Sequence, residues 1–330
     1  MAAERTCLGH AKTPSRRVPR RNCTNITNRP MKMATKKKTY AAIDIGSNAV
    51  RLLIKELENP EGPVFTKVQL VRVPLRLGFD VFSKGYITDS KKKDMVRLMK
   101  AYKHLMKIYH VDDYRACATS AMRDAANGQE IIDGILKTTG IRIDIIDGKE
   151  EAAIIYGNHI EKSSSLKGNL LYVDVGGGST ETNLISNGQL IFSSSYNIGT
   201  VRMLNGSVQE SEWKRLDSDL RRLAPSYSGI DLIGSGGNIN KLYKLSGERS
   251  LESTGMSVSS LKKTYCSLAP MSVEERIERY DLKPDRADVI VPAARIFLTI
   301  ADTVSADYIY IPMIGLSDGI IDGLYNRKQK

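Results

Sequence analysis

The sequence predicts an α/β protein built from two related halves that face one ligand. An apolar strand that ends in Asp-x-Gly and is followed by serine occurs at Asp44–Ser47 and recurs 130 residues later, from Asp174 to Ser179. Short apolar runs typical of buried strands also alternate with stretches of helical periodicity. Because the two copies are separated by the length of a small domain, we interpret them as equivalent parts of two halves.

Composition excludes several classes of protein. The chain has 330 residues, 41% of them hydrophobic, which is enough for two domains with ordinary cores. Residues 1–38 hold eleven Lys/Arg and one acidic residue, so they carry +10 of the net charge of +12 and leave +2 for residues 39–330. A nearly neutral body argues against a nucleic-acid partner. No apolar run reaches the ~18 residues of a membrane span, so no membrane partner is expected.

The N-terminal 38 residues form a basic tail without periodic apolar residues, which predicts disorder. A polyanion-binding arm, a transit peptide and an upstream extension from a misassigned start codon are the alternatives. Met31 and Met33, just before the globular sequence, favour an extension or an inert tail. The chain has four cysteines: Cys7, Cys23, Cys117 and Cys266. None shows C-x-x-C spacing, which predicts ordinary thiols in a reducing cytoplasm.

The first copy of the pattern opens the globular sequence. Residues 40–54 predict a strand, a Gly-Ser turn and a second strand. Residues 60–90 contain three prolines and three glycines and predict mainly loop. Arg72, Arg76 and Lys84 in this loop are candidates to face an anionic ligand, with solvated surface charge as the expected role of each. A helix follows from Thr88 to about Tyr109, and its apolar stripe predicts core.

Two further stretches of this half place charge beside a helix start. After a strand at 114–118, a Thr-Ser turn precedes a helix that carries Arg123, which indicates either an anion site or a capped surface helix. After a strand at 141–146, Glu150 and Glu151 begin the next helix. Adjacent helical residues face about 100° apart, so one of them can point into a cleft. Ordinary N-terminal acid bias is the alternative.

The second copy of the pattern is richer in functional groups. An apolar run ends in Asp174, and the following residues are Gly176, Gly177, Gly178, Ser179, Thr180 and Glu181. Consecutive glycines let backbone N–H groups approach an anion, because no Cβ blocks them. The two carboxylates are hard oxygen ligands suited to Mg²⁺, which meets phosphate through one or two carboxylates and water. A plain hairpin turn is the alternative.

The remainder of the chain predicts further strands and helices. The expected elements are a hairpin at Asn187-Gly188, a charged helix at 210–224, a third strand and glycine turn at 231–240 leading into a helix, mainly helix at 255–310, a strand at 308–312 and a short helix at 316–324.

Together these motifs resemble the exopolyphosphatase and guanosine pentaphosphate phosphohydrolase (Ppx/GppA) family, within the superfamily of actin, sugar kinases and the heat-shock chaperone ATPase. The resemblance runs from about residue 40 to the C-terminus. The motifs that carry it are Asp44-Ile45-Gly46-Ser47-Asn48 with Arg51, Ala118-Thr119 to Arg123 with Asn127, Gly148-Lys149-Glu150-Glu151-Ala152, Asp174 to Glu181, Gly199-Thr200-Val201-Arg202 and Gly234-Ser235-Gly236-Gly237. Departures are Asp147 and Ala49, where the family often has Ser, and Ala118, where Gly is common.

The resemblance implies two actin-like (ribonuclease H-like) domains with an interdomain cleft. The expected boundaries are 39–150 for the first domain and 151–315 for the second, with a C-terminal helix at 316–327 that packs back onto the first. The sequence stops after this helix, where long family members continue into all-helical domains, so it resembles the short branch. Family resemblance also implies a homodimer.

The implied activity is exopolyphosphatase, which hydrolyses the terminal phosphoanhydride bond of short inorganic polyphosphate. Glu151 is the implied water-activating base, with Glu150 as the weaker candidate, and Arg123 neutralises charge. Asp174 and Glu181 are the implied ligands of Mg²⁺, with K⁺ as a further candidate cation. The implied phosphate-binding residues are Asp44, Gly46, Ser47, Asn48, Arg51, Gly176, Gly177, Gly178, Ser179, Thr180, Gly199, Thr200 and Gly236.

Three alternatives stay open. A guanosine pentaphosphate phosphohydrolase would use the same chemistry on a nucleotide. A small-molecule kinase of the same fold would use the loops for ATP, but the Gly148–Ala152 motif argues against it, since such kinases place an aspartate elsewhere as base. A non-catalytic nucleotide or alarmone sensor would bind without hydrolysis.

Overall fold

The computed structural model describes residues 37–59, 64–163, 168–248, 254–312 and 314–327. The tail for which we predict disorder lies outside these residues, apart from Lys37 and Lys38. None of the helices in the described ranges is both long and apolar enough to cross a bilayer.

The first sheet has five strands in the order β3-β2-β1-β4-β5. Its strands are β1 (Thr39–Ile45), β2 (Val50–Asn59), β3 (Val64–Val73), β4 (Asp113–Ala118) and β5 (Asp144–Ile145). β2 lies antiparallel to both β1 and β3, whereas β4 lies parallel to β1 and to β5. All seven residues of β1 are buried, which explains its nearly continuous apolar sequence.

Four helices belong to this half: α1 (Leu77–Lys84), α2 (Asp89–Ile108), α3 (Ser120–Asp124) and α4 (Gly128–Thr139). The helix expected from Thr88 to Tyr109 is confirmed as α2. The loop-rich interpretation of residues 60–90 is wrong, because β3 and α1 occupy most of them. β3 is an edge strand with exposed Val64 and Val68, so it lacks the regular alternation that identifies a half-buried strand.

The second sheet repeats the first. Its strands are β6 (Asn169–Val175), β7 (Thr180–Ser186), β8 (Gln189–Tyr196), β9 (Ile230–Ser235), β10 (Gly255–Ser257) and β11 (Tyr308–Tyr310). The order β8-β7-β6-β9-β11 has the same strand directions as β3-β2-β1-β4-β5, and β10 is added antiparallel to β11. The predicted α/β class with two ribonuclease H-like sheets is therefore confirmed.

The remaining α-helices surround the second sheet and join the two halves. They are α5 (Gly148–Ser163), α6 (Thr200–Leu204), α7 (Glu210–Leu223), α8 (Gly237–Ser246), α9 (Val258–Leu268), α10 (Val273–Tyr280), α11 (Pro284–Ala287), α12 (Ile290–Val304) and α13 (Leu316–Arg327).

Each sheet has its own hydrophobic cluster on one face, and a third cluster joins the other faces through α5 and α13. The third cluster contains Tyr40 of the first sheet, Tyr172 of the second and Ile321 of α13. Gly319 lets α13 cross α5 closely, since a Cβ there would lie 2.4 Å from the Ile154 carbonyl oxygen. The domain boundaries drawn at 150/151 and 315/316 stay a prediction, and the first of them falls within α5.

Candidate functional site

A cavity of about 300 Å³ lies where the turns after β1 and β6 meet, and residues from both halves line it. Thirteen of the predicted site residues take part in this lining: Asp44, Gly46, Ser47, Asn48, Arg51, Glu151, Asp174, Gly176, Gly177, Ser179, Glu181, Thr200 and Gly236. Residues that are distant in sequence therefore form one site, which we call the cleft.

The two hairpins that open the cleft are built alike. In the first, the Gly46 N–H donates to the Ala49 carbonyl over 3.1 Å, and in the second the Gly176 N–H donates to the Ser179 carbonyl over 2.9 Å. Asp44 lies opposite Arg51 in the β1–β2 pairing, as Asp174 lies opposite Glu181 in the β6–β7 pairing. Each hairpin thus has two charged residues facing each other at the same position relative to its turn.

Gly177 and Gly178 serve close packing between the two turns. A Cβ on Gly177 would lie 2.9 Å from the Ser47 Cβ, and one on Gly178 would lie 2.3 Å from the Ser120 Oγ. Gly199 approaches them from the other side, where a Cβ would lie 2.4 Å from the Gly178 carbonyl carbon. We call the contact of Ser47 and Ser120 with Gly177 and Gly178, together with Gly199 packed behind the two glycines, the glycine seam.

Three predicted phosphate-binding residues lie outside the cleft lining. Gly178 and Gly199 belong to the glycine seam, and Thr180 is fully buried, where its hydroxyl donates to the Ile198 carbonyl over 2.6 Å. Their residue types are explained by packing and by a buried hydrogen bond. A glycine-rich motif cannot reveal which of its members face a ligand.

Five carboxylates line the cleft: Asp44, Glu151, Asp174, Glu181 and Asp318. Two of them have a direct ion pair among the described residues: the Asp44 Oδ2 lies 2.6 Å from the Arg51 Nη1, and the Asp318 Oδ1 lies 2.5 Å from the Lys55 Nζ. Glu181 accepts from the Ser195 hydroxyl over 2.9 Å, and Asp174 from the Ser235 hydroxyl over 3.2 Å. Negative charge is therefore in excess at this end of the cleft.

Burial and mutual repulsion perturb these carboxylates. Burial raises the pKa of Asp174 to about 6 although Arg51 opposes the shift, and burial with repulsion from Asp174 raises the pKa of Glu181 to about 7. The pKa of Glu151 is also raised well above its ordinary value, first by burial and then by Glu181 and Asp174. Carboxylates perturbed in this way are typical of functional sites.

Glu151 is held at the start of α5 with one oxygen unpartnered. Its side chain is 8% exposed, and its Oε2 is buried without a hydrogen-bond partner among the described residues. Gly148 permits this placement, since a Cβ there would lie 2.4 Å from the Cβ of Ser195 on β8. Asp147, in place of the usual serine, accepts from the Glu150 N–H over 2.7 Å and so caps the helix.

Glu150 and Arg123 do not line the cleft. Glu150 points away and pairs with Arg115, with 2.7 Å between its Oε1 and the Arg115 Nη2. Arg123 donates to the Ile146 carbonyl over 2.8 Å, and its positive charge opposes the rise in the pKa of Glu151 and of Glu181. The two adjacent glutamates of α5 are thus clearly distinguished, and Arg123 acts on the buried one through its charge.

Three basic residues that are not among the predicted phosphate-binding residues line the rest of the cleft. They are Lys67, Arg72 and Arg286. The expectation that Arg72 is a solvated surface charge is wrong, because it is largely buried in an ion pair with Asp285. Arg76 likewise pairs with Asp288. The sequence showed only isolated charges in these stretches, because their partners lie more than 200 residues away.

The carboxylate end of the cleft fits a hard divalent cation as part of a larger ligand set. Among the residues that the structure describes, no group of three or more His, Cys, Asp or Glu side chains is arranged to hold a metal ion alone. Mg²⁺ commonly takes one or two carboxylates and completes its shell with water and phosphate oxygens. The excess buried charge at Asp174 and Glu181 fits that kind of site.

Comparison with known proteins identifies relatives with this architecture. The Ppx/GppA phosphatase family matches residues 58–328. A bifunctional 3-dehydroquinate synthase/phosphatase of Fusobacterium nucleatum is 26% identical over 310 residues, which cover 87% of this chain and 47% of that protein. A guanosine-5'-triphosphate,3'-diphosphate pyrophosphatase of Aeromonas hydrophila is 24% identical over 299 residues, covering 86% of this chain and 59% of that protein. The chain therefore spans about half to three fifths of the length of these two relatives.

Solved structures share the fold. An exopolyphosphatase from Cytophaga hutchinsonii superimposes with a TM-score of 0.77 at 22% identity, covering 88% of this chain and 98% of that chain. A PPX-GPPA enzyme of Aquifex aeolicus gives a TM-score of 0.67 at 25% identity, covering 88% and 99%. The match of the family to more than half of the sequence, together with the fold, shows that this chain belongs to the Ppx/GppA phosphatase family.

Proposed function

We propose that this protein is an exopolyphosphatase that releases orthophosphate from the end of short inorganic polyphosphate. The observation that carries the proposal is the buried, unpartnered Glu151 oxygen, which lines the cleft beside Asp174 and Glu181. A buried carboxylate with no partner is costly unless it serves a ligand or a reaction. Family membership and the named activities of the relatives support the same chemistry.

Glu151 would accept a proton from the attacking water. A general base must be ionised to act, and the positive charge of Arg123 favours the ionised form. When bound through Asp174 and Glu181, Mg²⁺ would neutralise charge on the phosphate oxygens and lower the proton affinity of the nearby carboxylates.

Groups on both turns would hold the phosphates. Ser47, Asn48 and Thr200 line the cleft with short polar side chains, and Gly176 and Gly177 bring backbone into the same wall. Such donors are fixed in place before the substrate arrives, so they stabilise developing charge without reorganisation. A chain of phosphates lying along these turns would place its terminal group at the carboxylates.

Guanosine pentaphosphate is the second candidate substrate. The relatives named as guanosine-5'-triphosphate,3'-diphosphate pyrophosphatases favour it, and the same terminal bond would be broken. Glu151 and the two metal-binding carboxylates would have the same roles.

The test is phosphate release by the parent and by Glu151→Gln from tripolyphosphate, longer polyphosphates, guanosine pentaphosphate and ATP. Removal of a general base typically costs 10²–10⁴-fold, so kcat of Glu151→Gln should fall by about that factor on the true substrate. Glu150→Gln is the matched control: it changes the neighbouring glutamate, which points away from the cleft, and should keep kcat within about twofold of the parent.

Two results would contradict the proposal. Equal hydrolysis by Glu151→Gln and the parent would exclude Glu151 as the base. Binding of a nucleotide with no phosphate release from any of the four substrates would favour the sensor alternative.

A further inference from the structure

The cleft has a second charged pair, formed by Arg72 of β3 and Asp285 of α11. Their Nη1 and Oδ2 atoms lie 2.5 Å apart, and the two side chains are only 20% and 10% exposed. The Asn48 amide donates to the Asp285 backbone carbonyl over 3.0 Å, so this aspartate also contacts the first turn. Arg72 lines the cleft whereas Asp285 does not, so a ligand in the cleft meets the arginine of the pair and has the carboxylate behind it.

Positive charge converges around this pair. The Arg286 guanidinium donates to the Gly237 carbonyl and, over 3.2 Å, to the Asn238 side-chain oxygen. Arg51, Arg72 and Arg286 all line the cleft. Burial and then repulsion from Arg72 and Arg51 lower the pKa of Arg286 to about 10. Lys67 lines the same cleft.

The cleft therefore has an acidic end and a basic end. The acidic end, at Glu151, Asp174 and Glu181, suits a cation and the reacting phosphate. The basic end suits the phosphates that follow, because arginine binds phosphate oxygens through parallel N–H donors. One of these arginines, Arg72, already has a carboxylate in contact with it.

Resting on the proposed function, we propose that Arg72 binds the phosphates beyond the reacting one, and that Asp285 is an internal counter-anion which an incoming oligophosphate displaces. A single carboxylate competes well with a weakly charged anion and poorly with a chain of several phosphates. The pair therefore selects for oligophosphates over orthophosphate and assists release of the product.

The chain provides a matched control for this pair. Arg76 and Asp288 form an ion pair between the same two segments, only a few residues away, but neither side chain lines the cleft. Arg76 also lies over the Phe79 ring, 4.0 Å from its centroid. The Arg76–Asp288 pair shares the structural role of bridging the two halves without access to the ligand.

The test measures binding to full-length protein by calorimetry, with every variant made in the Glu151→Gln background so that the ligand is not consumed. The probes are inorganic tripolyphosphate, guanosine pentaphosphate and orthophosphate, each with Mg²⁺. Asp285→Asn frees Arg72, so the affinity for an oligophosphate should rise several-fold and the affinity for orthophosphate by at least as much. Arg72→Gln should weaken oligophosphate binding roughly tenfold.

Two further variants separate ligand binding from structural support. In Arg72→Gln/Asp285→Asn the gain from Asp285→Asn should vanish, because no arginine remains to be freed. Asp288→Asn should lower Tm without changing the affinity for the oligophosphates or for orthophosphate. A gain in affinity of Asp285→Asn for tripolyphosphate or for guanosine pentaphosphate supports the proposal. The probe that shows the gain identifies the source of the phosphates.

The proposal is overturned if Asp285→Asn gains affinity for neither oligophosphate, or if its gain persists without Arg72. Because binding is measured in a background that lacks the base, these outcomes are independent of hydrolysis. A parent protein that binds oligophosphate but releases no phosphate would contradict the proposed function alone.

Discussion

The β1–β2 and β6–β7 hairpins share backbone and register but differ in one charge. Asp44 faces Arg51 in the first, whereas Asp174 faces Glu181 in the second, at equivalent positions of the strand pairing. The first pair forms an ion pair at 2.6 Å. The second pair concentrates negative charge and raises the pKa of both its members.

This difference gives the two similar hairpins different electrostatic character. The first hairpin neutralises its own aspartate and leaves its turn available to an anion. The second hairpin carries unpaired charge that a cation can neutralise. A neighbouring strand pairs with the first strand of each hairpin and differs in the same way. β9 places Ser235 beside Asp174, to which the serine hydroxyl donates a hydrogen bond, whereas β4 places Cys117 beside Asp44.

The largest expected effect comes from removing the charge that distinguishes the second hairpin. Glu181→Gln keeps the size of the side chain but leaves Asp174 as the only charged member of the pair. Because charge neutralisation by a metal ion is worth several kcal/mol, kcat should fall roughly a thousandfold at fixed Mg²⁺. The check is the Mg²⁺ dependence of phosphate release, and an unchanged dependence would exclude Glu181 as a ligand.

The second expected effect is on stability. Asp174 and Glu181 have pKa values of about 6 and about 7, above their ordinary values, so the folded protein holds protons that the unfolded chain has already lost. The stability that these bound protons give the folded state is therefore fully present at low pH, and it is lost as pH rises through 6 and 7. Without divalent cations, the free energy of unfolding should fall by on the order of 3 kcal/mol from pH 5 to pH 8.

Urea denaturation at several pH values measures this slope. Mg²⁺ should reduce it, because the bound cation stabilises the ionised carboxylates. Glu181→Gln should make the slope shallower in the absence of Mg²⁺, since one carboxylate with a raised pKa is gone and its repulsion of Glu151 is removed. A slope of opposite sign would contradict the assignment of excess negative charge to this hairpin.

The smallest expected effect concerns the neighbouring strands. Ser235→Ala removes the hydrogen bond to Asp174 and should weaken Mg²⁺ activation about tenfold, as is typical for groups that orient a metal ligand. Cys117→Ala changes the equivalent position beside Asp44 and should cost only about 1 kcal/mol of stability, with unchanged activity. If Ser235→Ala and Cys117→Ala changed Mg²⁺ activation equally, the assignment of the metal ion to the second hairpin rather than the first would be contradicted.

Local patterns predicted much of this protein. The repeated Asp-x-Gly turn correctly indicated two equivalent sheets, and the paired carboxylates of α5 indicated that one could face a cleft. Which glutamate does so could not be decided locally, because the answer depends on Gly148 approaching Ser195 of a strand about fifty residues later. The resemblance to a family, rather than the local pattern, favoured Glu151.

The basic end of the cleft was missed for a related reason. Arg72 and Arg286 acquire their environment from contacts between the two halves. The local sequence therefore gave no reason to prefer a ligand-facing role for Arg72 over a surface charge, and no signal for Arg286. β3 was missed because an edge strand buries too little to show a pattern. The homodimer, the cytoplasmic location and the identity of the cation stay predictions.

The glycine seam has a mechanical consequence. Backbone and serine atoms of the two halves touch there with no room for a single added carbon, so the halves cannot slide past each other at that point. A rotation of the two halves that widens the cleft would therefore pivot at the glycine seam, and residues farther from the seam would move more. The ion pairs of Arg72 with Asp285 and of Arg76 with Asp288 also join the two halves, so they would restrict that rotation.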